Sequence, residues 1–308
     1  MDRKDRIDAF GAVALTGFSL LLAFNQVVIK VTNGGLQPVF FAGLRSAGAV
    51  LCILLWLRLR GLPIGLAAGT RRWGLLIGGV FAVEFICLFT ALDLTTVSRA
   101  SVIFYSMPVW MALGAHILLP GDVLTRRKAA GLVLAMLGVA WALLDRGAGG
   151  TASLAGDLFA LGAAIGWAAI GLIARASPLS QARPETQLFW QVAVSAPILL
   201  ALAPMFGPLI RELEPIHLWG LGFQIVIVVS MGFILWLWLL SIYPASGVAS
   251  FSFLSPVFSV GLGWVLLDET VGVSLLGALA LVAAGILLVN LPRRVTADGP
   301  GAASRPGG

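Results

Sequence analysis

The chain has 308 residues, 59% of them hydrophobic and only 11% charged, with a formal net charge of +6. A mean hydropathy of +0.99 leaves too little polar material to cover a water-soluble globule of this size, so lipid is the solvent for most of its surface. The basic residues are spread over short connections rather than gathered in a patch, which argues against a nucleic-acid partner.

Apolar runs of about 20 residues, the length that crosses a bilayer, fall at 9–31, 38–58, 73–93, 97–119, 128–144, 154–174, 186–206, 217–241, 246–267 and 272–291. The first follows MDRKDRIDAF and lacks a small-residue cleavage pattern, so it reads as a retained span. Asn25 and Gln26 in span 1 offer donors and acceptors to a substrate or to a neighbouring helix. Span 2 carries Arg45, roughly 10 Å inside its outer end, and span 3 carries Glu84, roughly 14 to 18 Å from either boundary at the rise of a helix.

Charge at such depth costs at least a few kcal/mol and marks function by default. Glu84 reads either as a proton-binding or substrate-ammonium site, or as half of a structural Glu84–Arg45 pair locking spans 2 and 3. Cys52 and Cys87 lie inside the same two spans and read as small buried hydrophobes.

Pro108 in span 4 and Pro256 in span 9 fall near mid-depth, where proline frees a carbonyl and bends a helix; such symmetric kinks shape a central cavity. Trp73, Trp141, Trp219 and Trp264 sit toward span ends as interfacial anchors. Phe81, Phe85, Phe104 and Tyr105 in spans 3 and 4, with Trp167 and Trp190 in spans 6 and 7, lie deeper. Gln187 and Gln191 add amides to span 7. The substrate-binding candidates are therefore Asn25, Glu84, Phe85, Tyr105, Trp167, Trp190 and Gln191. Rings, a few amides and one acid suit a small, partly apolar zwitterion, whereas phosphate would call for several convergent cations, and only Arg45 is available at depth.

The chain repeats itself at an offset of roughly 145 to 148 positions. Lys30 returns as Arg175, Pro38 as Pro184, Trp73-Gly74-Leu75 as Trp219-Gly220-Leu221, Arg45 as Gln191, Ser98 as Ser246, Pro108 as Pro256 and Asp122 as Glu269. Ten spans thus divide into five per half, over 1–146 and 147–292, with residues 293–308 expected as a disordered cytoplasmic tail. An odd count per half makes the second copy enter from the opposite side. The expected fold is an all-α polytopic membrane protein of two inverted five-helix repeats, an architecture suited to alternating access.

Placing the amino terminus in the cytoplasm puts about 15 basic residues inside, from Arg3, Lys4 and Arg6 through Arg58, Arg60, Arg71, Arg72, Arg126, Arg127, Lys128, Arg175 and Arg183 to Arg293, Arg294 and Arg305. About 4 remain outside, Lys30, Arg99, Arg146 and Arg211, so both termini are expected in the cytoplasm.

An intramembrane enzyme would need clustered acids, a zinc pattern or a serine with its base. No H-E-x-x-H occurs, His116 and His217 belong to different halves, and the serines at 250, 252, 255 and 259 have no acid or histidine nearby in sequence. No enzymatic activity, metal or cofactor is expected.

Leu44-Arg45, Ala91-Leu92, the stretch Thr95-Thr96-Val97-Ser98-Arg99-Ala100-Ser101, Pro108, and the glycine-rich fifth span around Gly131 and Gly138 carry a resemblance to a known family. Over residues 8–291 the chain resembles the drug/metabolite transporter superfamily in its EamA-type branch, and within it the YddG-type exporters of aromatic and other neutral amino acids. The branch's glutamate closing span 4 is replaced by Asp122, with Glu269 in the second copy. The resemblance implies a bacterial inner-membrane carrier exporting amino acids or related metabolites through a cavity between the halves, with a proton as a conceivable coupling ion at Glu84. Spans 5 and 10 would be peripheral. Carriers of nucleotide-sugars, drugs or phosphorylated cargo are the alternative, as, more remotely, is an intramembrane enzyme.

Overall fold

The computed structural model describes residues 7–63, 68–119, 124–145, 153–243 and 251–290. Arg3, Lys4, Arg6, Asp122, Arg146, Ser246, Arg293, Arg294, Arg305 and the expected tail 293–308 lie outside them. The described residues are helical apart from short connections, and no strand occurs among them; one isolated antiparallel bridge joins Leu36 to Ile210. With no water in hydrocarbon to satisfy backbone groups, helices close their own hydrogen bonds.

The elements are α1 (Ala9–Thr32), α2 (Pro38–Leu59), α3 (Arg71–Leu94), α4 (Val97–Phe104), α5 (Met107–Leu118), α6 (Arg126–Leu144), α7 (Leu154–Ala176), α8 (Pro184–Leu202), α9 (Pro215–Phe223), a π-helical segment (Gln224–Met231), α10 (Gly232–Ile242), α11 (Leu254–Leu267) and α12 (Val273–Asn290). Among the described residues seven helical stretches are long and apolar enough to cross a membrane, with shorter apolar helices at Pro215–Met231, Leu254–Leu267 and Val273–Val289. Starts follow local chemistry. Asp8 accepts from Gly11 N at 2.8 Å at the head of α1, Gln37 accepts from Phe40 N at 2.6 Å at the head of α2, and Pro38 and Pro184 take first-turn positions where no N–H is needed.

Span 4 differs from expectation. It is broken into α4 and α5 at Tyr105–Ser106, and Pro108 sits at the start of α5 instead of bending one continuous helix. Ser106 holds the break: its hydroxyl donates to Ile103 O at 2.6 Å and accepts from the Trp110 indole at 3.2 Å. Pro256 likewise falls in the first turn of α11, after a 3-10 turn at Phe251–Phe253, and the proline inside a long helix is Pro197 of α8. A first-turn proline terminates nothing, because the N–H it lacks has no helical partner.

The two halves interlock. α3 packs on α7 and α8, α2 on α8 and the π-helical segment, α1 and α4 on α11, and α6 on α12. Small residues allow these close approaches. A Cβ on Gly285 would come within 2.5 Å of Gly131 O, so α6 and α12 meet backbone to backbone.

Connections from the two halves meet on two faces. The α1–α2 turn pairs with the α8–α9 connection, Gln37 N donating to Leu209 O at 3.0 Å and Arg211 N to Gly35 O at 2.9 Å. On the opposite face, the turn Ala68–Thr70 before α3 touches Pro178–Gln181 between α7 and α8.

Candidate functional site

The deep polar residues gather in two groups between the halves. In the first, Arg45 of α2 is 9% exposed, and its Cζ lies 4.6 Å from the Phe85 ring centroid and 5.9 Å from that of Phe89. Those rings continue a stack along α3, with Phe81 to Phe85 centroids 4.1 Å apart and Phe85 to Phe89 centroids 5.3 Å apart. Glu84, the next residue on α3, is 0% exposed and packs against α7, where a Cβ on Gly166 would come within 2.9 Å of its own Cβ.

The pair expected between Arg45 and Glu84 does not close. The two feel each other's charge, yet neither Glu84 oxygen nor Arg45 Nε has a hydrogen-bond partner among the described residues. The reason is geometric: Arg45 turns its guanidinium onto the α3 rings, while Glu84 faces α7. Ring contact offsets about 0.5–2 kcal/mol, less than the several kcal/mol of an unpaired charge at depth.

The second group joins α1, α4, α11 and the π-helical segment. Ser101 donates to Gln26 Oε1 at 2.7 Å, and the Tyr105 hydroxyl faces Gln26 and Ser255. Ser259, one turn beyond Ser255 on α11, keeps a buried hydroxyl without a partner among the described residues. Gln224 donates to Asn25 Oδ1 at 2.6 Å and to Asn25 O at 3.3 Å, leaving its own Oε1 unpartnered. Gln224 opens the π-helical segment, a geometry frequent at functional sites. Sequence reasoning misses it, although an amide in an otherwise apolar span is a readable signal.

The remaining candidates scatter. Trp167 is 43% exposed, with its ring 6.2 Å from Phe104 at the margin of the second group. Trp190 packs its ring on Gly74 so closely that a Cβ there would meet it at 2.2 Å; its indole nitrogen is buried without a partner among the described residues. Gln191 is half-buried one turn from Ser195, whose hydroxyl reaches Ser46 Oγ at 3.2 Å beside Arg45. Gln187 ties down the α7–α8 connection by donating to Leu179 O at 2.8 Å.

The face bearing the α1–α2 turn is closed over these groups by polar locks. Arg211 grips Asp93 in two-pronged fashion at 2.7 and 3.0 Å and donates to Asn33 O at 2.9 Å. The hydrogen bonds that Arg211 donates to Asp93 raise the Arg211 pKa above its ordinary value. Lys30 donates to Thr95 O at 2.9 Å and Asp93 O at 3.2 Å at the end of α3. Arg99 forms a buried 2.6 Å pair with Asp157. Glu269 caps α4, accepting from Val97 N at 2.6 Å, Ser98 N at 2.9 Å and Ser98 Oγ at 2.6 Å. Among the described residues no group of three or more His, Cys, Asp or Glu side chains could hold a metal ion.

Known proteins resemble this chain along its length. The model of the EamA-like transporter family matches twice, over residues 9–144 and 154–291. The chain is 29% identical over 294 residues to "Uncharacterized transporter YvbV" of Bacillus subtilis (strain 168), covering 89% of this chain and 92% of that one. It is 27% identical over 294 residues to a "Probable amino-acid metabolite efflux pump" of Escherichia coli (strain K12), covering 92% and 93%. A solved crystal structure shares the fold, with a TM-score of 0.63 at 21% identity over 90% of this chain and 96% of that one. Two family matches spanning nearly the whole helical chain, together with relatives matched along their full length, establish that this protein belongs to the EamA-like transporter family, among transporters and not enzymes.

Proposed function

We propose that the chain is a ten-span carrier of the bacterial inner membrane that exports amino acids or related small metabolites by alternating access between its two halves. Seven long and three shorter apolar helices support ten crossings, and the meeting of the α1–α2 turn with the α8–α9 connection supports inversion. Arg58, Arg60, Arg71, Arg72, Arg126, Arg127, Lys128, Arg175 and Arg183 flank connections of one face, which the positive-inside rule assigns to the cytoplasm. The face locked by Arg211–Asp93 is then the outer one, and its opening is half of the cycle.

The observation that carries the cargo class is the unclosed Arg45–Glu84 pair, one buried cation and one buried acid beside three stacked phenylalanines. A zwitterion with an apolar side chain complements all three elements. The E. coli relative named as a probable amino-acid metabolite efflux pump points the same way.

Counterflow into proteoliposomes of the purified protein, with neutral, aromatic, basic and acidic amino acids, tests the proposal. Saturable exchange of neutral or aromatic amino acids is the expected result, and stimulation by an imposed pH gradient would bring Glu84 into the coupling step. Absence of exchange for every amino acid would remove the cargo class while leaving the fold and family intact.

A further inference from the structure

Arg45 is at odds with its surroundings. It is 9% exposed, and among the described residues it has no acid within ion-pair distance and its buried Nε has no hydrogen-bond partner. The other cations near the centre are engaged: Arg99 is bonded to Asp157 and to Asp145 O and Ala142 O, and Lys30 to the carbonyls that end α3. Among the described residues Arg45 rests on the faces of Phe85 and Phe89.

A guanidinium over a ring spends its π face on the ring and keeps its in-plane N–H donors for an acceptor. Those donors match the two oxygens of a carboxylate, and a charge-assisted two-pronged contact is about twice as strong as a neutral one. The ring contact also holds the fork in place, so little side-chain freedom is lost on binding.

We infer that Arg45 is the carboxylate clamp of the carrier, taking the carboxylate of the transported molecule in a two-pronged grip while Phe85 and Phe89 hold the guanidinium flat. This deepens, and rests on, the reading of the chain as an amino-acid exporter. A single cation gives a dianionic phosphate one partner where it calls for several. Glu84, buried on the neighbouring α3 with no hydrogen-bond partner among the described residues, leaves an acid for an ammonium of the same molecule. The site therefore selects a monocarboxylate that also carries an ammonium.

Counterflow of three labelled aromatic compounds separates the possibilities: phenylalanine, phenylalaninamide without the carboxylate, and 3-phenylpropanoate without the ammonium. Charged hydrogen bonds of this kind correspond to roughly 10- to 100-fold in rate or affinity. The wild type is expected to exchange phenylalanine at least about tenfold faster than the amide. Arg45→Gln is expected to erase that ratio, and Arg45→Lys, which keeps the charge but loses the fork, to retain part of it.

Equal exchange of acid and amide by the wild type overturns the clamp and leaves amino-acid export standing. Exchange of 3-phenylpropanoate but of no amino acid overturns the export reading and leaves the clamp standing. Exchange of none of the three overturns both. Should Arg45→Gln fail to fold, the wild-type ratio of acid to amide decides alone.

Discussion

Arg99 on α4 and Asp157 on α7 meet at 2.6 Å with side chains 4% and 2% exposed, so a fully buried ion pair joins the first half of the chain to the second. Thr95 donates to Asp157 Oδ1 at 3.2 Å, and the free Arg99 donors end on Asp145 O at 2.8 Å and Ala142 O at 2.5 Å. Four of the five guanidinium donors are thus used. That degree of pairing is what makes a buried charge tolerable.

Removing one partner should therefore be severe. Asp157→Ala is expected to lower stability by about 3–5 kcal/mol, because Arg99 would remain buried with its charge uncompensated. Thermal unfolding of the detergent-solubilised protein checks this, and a variant melting with the wild type would show that water reaches the pair. The double variant Arg99→Met with Asp157→Leu should recover much of the loss.

The Arg211–Asp93 lock is different in kind, since its side chains are 36% and 21% exposed. An exposed pair is worth about 0.2–1 kcal/mol, equivalent to at most about a fivefold shift in an opening equilibrium. Arg211→Ala should raise thiol labelling of a cysteine placed at Thr32, which is buried beneath the lock, by no more than that factor. Because the Arg211 pKa is raised, its contribution is complete below the ordinary arginine value and is lost only as pH climbs beyond it. Labelling at pH 7 and pH 10 should then report the same lock, whereas high salt should loosen it. A lock that opened between those pH values would contradict the assignment.

Glu84→Gln keeps the shape of the acid and removes its exchangeable charge. The variant is expected to melt no lower than the wild type, since neither Glu84 oxygen has a partner to lose. Any stimulation of exchange by a pH gradient is expected to disappear. Persistence of that stimulation would take Glu84 out of the coupling step.

Trp190 tests whether the expected aromatic pocket includes its ring. That ring lies against Gly74, so Trp190→Ala should cost about 3–5 kcal/mol of stability as a cavity in packed structure. Gly74→Ala should cost about 1–3 kcal/mol through overpacking, and Trp190→Ala should relieve it, giving a clearly non-additive double variant. Additive losses in melting temperature would show that the two residues do not touch.

The candidate site was legible in kind but not in arrangement. Arg45, Glu84, Phe85, Asn25 and Tyr105 stand out in sequence because polar and aromatic groups are rare inside apolar runs, and the structure places them between the halves. Trp167 and Trp190 satisfy the same criterion, yet one lies 43% exposed and the other in a packing seam. Nothing in the sequence pattern singles out Asp157, which resembles any acid near a span end. The break at Tyr105–Ser106 escapes because Pro108 is compatible with both a kink and a helix start.

What the sequence by itself determined is the solvent, the helical class and the doubling of the chain. Long apolar runs belong in lipid, lipid requires backbone groups to be satisfied within each segment, and the echo of Trp73-Gly74-Leu75 in Trp219-Gly220-Leu221 needs no coordinates to be seen. Which side chains face one another was decided only by the tertiary structure. A helix that is apolar all round has no hydrophobic face to set its rotation, so the phase that sends Arg45 to Phe85 and away from Glu84 comes from packing on neighbouring helices. The contacts that fix it, such as Glu269 on Ser98, join residues 171 positions apart in the chain.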